Sequence, residues 1–206
     1  MQDLIDKFFI KHLSLSAGDA LMLHQKYYKE YGLAIEGLYR HHKIQPLEFN
    51  REVDDALPLD EILQPDPELR RLLERFDKDK VKMWLFTNAH ITHGKRVIRL
   101  LGVEDCFEGI TYCDYTAKEL LCKPRPEMFE KAEREAGAPG ADQCYFVDDS
   151  YLNCTHAHAR GWHTVHLVEP GVQAPARRAA EYQISHLSQL HDLFPQFLTD
   201  NVNGAC

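Results

Sequence analysis

The chain has 206 residues, 44% of them hydrophobic and 27% charged, which suits one ordinary α/β domain with a small appended module and excludes a disordered chain. A formal net charge of -8 argues against nucleic acid as a partner, while a few local cations would still suffice for a small anionic substrate. No apolar run approaches the ~20 residues that span a bilayer. The first residues, Met1 to Phe9, mix acids into apolar positions as no secretory signal does, so the expectation is a cytoplasmic protein with no membrane partner.

From Gln2 to about Leu63 apolar residues recur at helical spacing: Leu4, Ile5, Phe8 and Phe9, then Leu21, Leu23, Tyr27, Tyr28 and Tyr31. Ser16 suits an N-cap, and Gly32 and Gly37 are read as punctuating helices. The proline-bearing stretch from Leu57 to Pro67 reads as an exit linker. Residues 1–65 are therefore expected to form a helical module, and residues 66–206 a second unit with a different pattern.

That second unit alternates. A helix over Glu68–Phe76 precedes a strand over Val81–Thr87, and a helix over His93–Leu101 precedes a strand over Gly109–Cys113. A helix over Pro126–Ala136, a strand over Gln143–Val147, a helix over Asn153–Arg160 and a strand over His163–Val168 follow, with a last helix over Ser188–Phe197. Strand–helix–strand repetition at this spacing predicts a Rossmann-like α/β fold, a parallel sheet covered by helices. The six cysteines (Cys106, Cys113, Cys122, Cys144, Cys154, Cys206) occur singly and are expected to be free thiols, several of them in the core.

In such a sheet the working groups project from the C-terminal strand ends. Thr87 and Asn88 offer a hydroxyl, an amide and backbone N–H groups leading toward a helix, a seat for a phosphate oxygen or an ordinary turn. Lys123, ahead of Pro124 and Pro126, is presented from a stiff loop, either to neutralise a phosphoryl group or to sit in solvent. Asp148 and Asp149 end an apolar strand, and two adjacent carboxylates there suit a hard cation such as Mg²⁺ or an acidic helix cap.

In this order the pieces resemble motifs II, III and IV of the haloacid dehalogenase (HAD) superfamily. Leu85-Phe86-Thr87-Asn88-Ala89, Thr111-Tyr112-Cys113-Asp114-Tyr115, Cys122-Lys123-Pro124 and Phe146-Val147-Asp148-Asp149-Ser150 are similar to the pyrimidine 5′-nucleotidase branch found in fungi. So is Tyr27-Tyr28-Lys29-Glu30-Tyr31-Gly32-Leu33-Ala34, which would fall in that branch's cap. The resemblance implies a Mg²⁺-dependent phosphomonoesterase acting on nucleoside 5′-monophosphates or similar small phosphates. It also implies that Thr87 binds the phosphoryl group, Lys123 stabilises its charge, Asp148 and Asp149 hold the metal, and the helical module caps the site.

The family's motif I, a hydrophobic strand ending in Asp-x-Asp with the first Asp as nucleophile, has no counterpart in this sequence. Asp77-Lys78-Asp79 has the spacing but follows a polar helix, and Asp54-Asp55 and Asp66-Pro67-Glu68 fail likewise. Loss of a covalent nucleophile costs on the order of 10⁶ in rate in a hydrolase that depends on one. The chain is therefore expected to be inactive or impaired, whether through truncation, through loss of catalysis with an anion- or Mg²⁺-binding cleft retained, or through new chemistry. The motif I strand would lie mid-sheet, so the strands ending at Phe86 and Val147 must close up, or something must fill a gap of ~10 Å between them. A homodimer assembling through the open sheet is one way. Cys154, His156, His158, His163 and His166 crowd one stretch, yet their spacing points them to different faces, and ordinary surface positions are expected rather than a zinc site.

Overall fold

The structure, a computed structural model, describes residues 1–200; Cys206, expected to be a free thiol, lies outside the described residues. Helices occupy the first 62 residues, as the apolar spacing requires: α1 (Gln2–Leu13), α2 (Ala17–Tyr31), α3 (Ala34–His42), α4 (Pro46–Phe49) and α5 (Leu59–Ile62). The Ser16 hydroxyl caps α2 by accepting from the Asp19 N–H at 3.2 Å, satisfying one of the orphan donors of the first turn. Gly32 ends the same helix with φ 74°, a left-handed conformation that a side chain would strain. Gly37 does not punctuate: it lies inside α3, where the Tyr27 ring packs so closely that a methyl group would overlap it. Its lack of a side chain serves a close helix–helix contact, which sequence spacing alone does not distinguish from a break.

Between α4 and α5 the chain makes one π-helical turn, Asn50–Asp54. Phe8, Phe9, Ile35, Leu38, Phe49 and Val53 form the core of this helical module. The same cluster includes Tyr115, Leu120 and Cys122, so apolar burial fastens the module to the loop that carries Lys123.

The rest of the chain runs α6 (Pro67–Glu74), β1 (Trp84–Phe86), α7 (Ile91–Leu100), β2 (Gly109–Thr111), α8 (Pro126–Ala136), β3 (Tyr145–Asp148), α9 (Tyr151–Ala159), β4 (His163–Leu167), β5 (Tyr182–Ile184) and α10 (Leu190–Leu193). β5 escapes sequence reading, because three residues between polar flanks carry no period. The expected last helix is reduced to the four residues of α10 between two 3₁₀ turns, with Pro195 removing a backbone donor at its exit.

Among the described residues the strand ladders are all parallel, with one isolated antiparallel bridge between Phe76 and Leu198, but the sheet lies in two parts, β1–β2 and β3–β4–β5. Among the described residues no ladder joins β1 to β3, so these strands have not closed up. On the α8 side the interval is spanned by rings: Phe86 lies 5.8 Å from Phe146 and 5.5 Å from Phe129, with Trp162 completing the cluster. On the other side a cavity of about 590 Å³ reaches from Leu85 to Val147, lined by Phe76, Leu101 and Phe197 among others. All three β1 residues consequently stay part-exposed, unusual for a strand in the middle of an α/β fold.

Candidate active site

Thr87 continues the β1–β2 ladder by one bond, its N–H donating to the Thr111 carbonyl at 2.9 Å. Its hydroxyl oxygen accepts from the Ala89 N–H at 3.0 Å, which turns the chain and leaves the hydroxyl proton for a ligand. The Asn88 side chain acts as a clamp. Its Oδ1 accepts from the Lys123 N–H at 2.7 Å, and its Nδ2 donates to the Lys123 carbonyl at 2.9 Å. With the amide so engaged, Asn88 offers the cavity its backbone and holds the lysine in place.

Lys123 is only 4% exposed. Its ammonium donates to the Phe86 carbonyl at 2.9 Å and to Asp148 Oδ2 at 2.6 Å, which leaves one of its N–H bonds without a protein acceptor. It also lies 4.7 Å from the centre of the Phe86 ring and 5.2 Å from that of Phe146, stitching the two parts of the sheet together through cation–π contact. Asp148 Oδ1 accepts from the Ser150 N–H at 2.9 Å and from Asn153 Nδ2 at 3.0 Å. Asp149 is exposed, at the start of α9, whose N-cap is Ser150.

These groups share one cavity of about 600 Å³, with Thr87, Asn88, Lys123, Asp148 and Asp149 at its core end. The five residues expected at the site from sequence are therefore brought together. The cap end adds side chains that sequence reading did not assign: Tyr28, His24, Asp54 and Tyr115. The Tyr28 hydroxyl stands beside Ser150 and the acidic pair, its pKa raised first by burial and further by Asp149 and Asp148. His24 is held through Nδ1 by Asp6 Oδ1 at 2.8 Å. Asp54 is 5% exposed, and burial, reinforced by neighbouring Asp55, pushes its carboxyl up to about 7. In sequence Asp54 and Asp55 are alike; only the packing of the π turn separates the buried acid from the exposed one.

Asp77-Lys78-Asp79 lies apart from the cavity, where Asp77 Oδ1 accepts from the Asp79 N–H at 3.0 Å to close a turn. Of the histidines after Cys154, His166 does not lie on the surface as expected: it is buried in β4, with Nε2 3.2 Å from the Asp149 carbonyl oxygen. Among the described residues the one group of three or more His, Cys, Asp or Glu side chains close enough to share an ion is His12, Glu48 and Glu52 on the helical module. There Lys11 Nζ already donates to Glu52 at 2.9 Å. No described helix is long and apolar enough to cross a membrane.

The Rossmann-like core agrees with the comparisons: the chain matches the haloacid dehalogenase-like hydrolase family over residues 4–158 and belongs to it. Among curated proteins it is 39% identical over 178 residues to Phosphate metabolism protein 8 of Saccharomyces cerevisiae. The alignment covers 82% of this chain and 56% of the yeast protein, so the chain spans a little over half the length of that relative. Among solved structures it resembles a HAD phosphatase from Thermococcus onnurineus (TM-score 0.61, 18% identity, 95% of this chain and 88% of that one). It also resembles a HAD family hydrolase from Deinococcus radiodurans with bound phosphate and sodium (TM-score 0.56, 16% identity, 95% and 90% coverage). At these identities the structural likenesses speak for the fold.

Proposed function

We propose that the cavity binds a small phosphate monoester, with a nucleoside 5′-monophosphate as the leading candidate, and that this chain by itself turns it over poorly. The observation that carries the binding half is the buried Lys123 ammonium, which shares a cavity with the Thr87 hydroxyl and keeps one donor free. A dianionic phosphoryl group there gains a charge-assisted hydrogen bond from Lys123, a second from Thr87, and the backbone N–H groups that follow β1. The helical module closes the other end of the cavity, so that the organic part of the ester sits against it.

Mg²⁺ fits the donor set. Asp148 and Asp149 supply hard oxygens on the cavity wall, and Asp148, with three hydrogen bonds to its carboxylate, retains one lone-pair position. Bound there, the ion would offset phosphoryl charge beside Lys123. Impaired turnover follows from the carboxylates at hand. Asp148 is engaged by Lys123, Ser150 and Asn153, Asp149 follows it on the same strand end, and Asp54 stands at the cap end with its proton held up to about 7. None resembles an ionised acid poised to attack phosphorus.

Calorimetry with inorganic phosphate and CMP in Mg²⁺, paired with a phosphate-release assay, tests both halves. Saturable binding with negligible release is expected. No binding of either ligand sinks the site, and release at ordinary phosphatase rates, abolished by Asp148→Asn, sinks the impairment. A second reading, suggested by the unpaired edges of β1 and β3, is that a strand from another chain, including a second copy of this one, inserts between them.

A further inference from the structure

The core end of the cavity carries the Lys123 ammonium together with the carboxylates of Asp148 and Asp149; at its cap end stands the carboxyl of Asp54. Asp54 closes the π turn, where Val53 is fully buried and Phe49 is 3% exposed, so its backbone is anchored by the packing of the residues before it. Single π turns are frequent at functional sites. Its neighbour Asp55 turns to solvent and accepts from Asn50 Nδ2 at 2.9 Å. Asp54 turns inward, and among the described residues no side chain or backbone N–H donates to its carboxyl.

The groups facing it do not neutralise it. From α2 comes His24, engaged by Asp6; from the loop after β2 comes Tyr115, whose hydroxyl points to the Asn88 carbonyl at 3.5 Å. From α7 comes His93, which approaches the Asp54 backbone; Arg96, near His93, is occupied by the Leu57 carbonyl and the Asp60 carboxylate. The Asp54 carboxyl oxygens are not sealed in the core but open on the cavity, where a ligand would meet an acceptor that no protein donor occupies.

Resting on the phosphate reading above, we infer that Asp54 is a specificity-determining residue: its carboxyl accepts a hydrogen bond from an N–H or O–H on the organic part of a phosphate ester whose phosphoryl group lies at Thr87 and Lys123. The ligand class is thus narrowed to phosphate esters that carry a donor at the end remote from phosphorus, such as an amino or amide group on a nucleobase. Esters that are wholly apolar beyond the phosphate leave Asp54 unpaired. Both protonation states of a carboxyl accept a hydrogen bond, so its raised pKa does not remove this role.

The test is calorimetry on the full chain in Mg²⁺, with inorganic phosphate and CMP as probes, on wild type, Asp54→Ala and Asp54→Asn. Wild type is expected to bind CMP more tightly than phosphate. Asp54→Ala should weaken CMP by about tenfold or more while leaving phosphate affinity unchanged, and Asp54→Asn, which keeps one acceptor, should fall between. CMP affinity unmoved by both substitutions overturns the inference, as does an equal loss for both probes, which would mark a structural role. If the alanine variant does not fold, the asparagine variant decides by the same comparison. Phosphate bound by wild type with CMP no tighter defeats the Asp54 assignment alone; phosphate not bound at all defeats the underlying site as well.

Discussion

The Lys123 ammonium and the Asp148 carboxylate meet at 2.6 Å, with side chains 5% and 9% exposed; Lys123, in the loop after β2, is tied through Asn88 to the end of β1, while Asp148 ends β3. Removing one member of such a pair strands a buried charge and typically costs about 3–5 kcal/mol, whereas removing both costs less. Lys123→Met is expected to lower unfolding free energy by that order in urea titrations and to abolish phosphate binding. The double variant Lys123→Met/Asp148→Leu should recover part of the stability and none of the binding. A single variant as stable as wild type would contradict the pair's role.

Asp54 gives the fold a pH dependence of its own. Its carboxyl titrates at about 7 when folded against 3.8 as the ordinary value, so between those limits the folded chain holds a proton that the unfolded chain releases. Its contribution is therefore most favourable below about pH 4 and declines as pH rises through 7. Asp54→Asn removes the decline. The variant should be more stable than wild type by on the order of 3 kcal/mol at pH 8, with the difference closing below pH 4. Urea titrations at the two pH values check it, and a difference that does not change with pH counts against the buried, unpaired state.

Gly37→Ala places a methyl group inside the Tyr27 ring. Overpacking of this kind costs about 1–3 kcal/mol, and Tyr27 sits in the cluster that fastens the helical module to the Lys123 loop. The expected result is a lowered melting temperature together with weaker CMP binding; a neutral or stabilising effect would mean that the α2–α3 contact is looser than described.

The edges of β1 and β3 supply the fourth test. A synthetic peptide of apolar strand residues ending in Asp-x-Asp should bind the full chain and raise phosphate release from CMP above the chain's own rate. The same peptide with both acids changed to Asn should bind without raising it. Light scattering is expected to show mass doubling at high concentration that the peptide suppresses. Monomeric behaviour throughout, together with no peptide binding, removes the strand-insertion reading.

Much of the core was legible because its determinants are local. Pro126 to Ala136 with Gly137 behind it gives a proline-started, glycine-ended helix in both sequence and structure. Thr87, Lys123 and Asp148 were legible because each stands at a strand end or in a stiff loop beside one. The cap end was not. That Tyr28 reaches Ser150, that Asp54 is buried while Asp55 is not, and that the Asn88 amide is engaged by Lys123 are all outcomes of tertiary packing, which leaves no trace in the spacing of residues. Gly37 shows the same limit from the other side, since a glycine that ends a helix and one that admits a ring read identically.

The Asn88 clamp has a mechanical consequence. It ties the ammonium to the end of β1, together with the Thr87 hydroxyl, while the acids ride on β3. The site thus straddles a seam, and any widening of that seam must stretch the Lys123–Asp148 contact. A ligand that held Lys123 and Asp148 together would favour the closed seam, and anything that wedged the seam open would then weaken that ligand by the same factor.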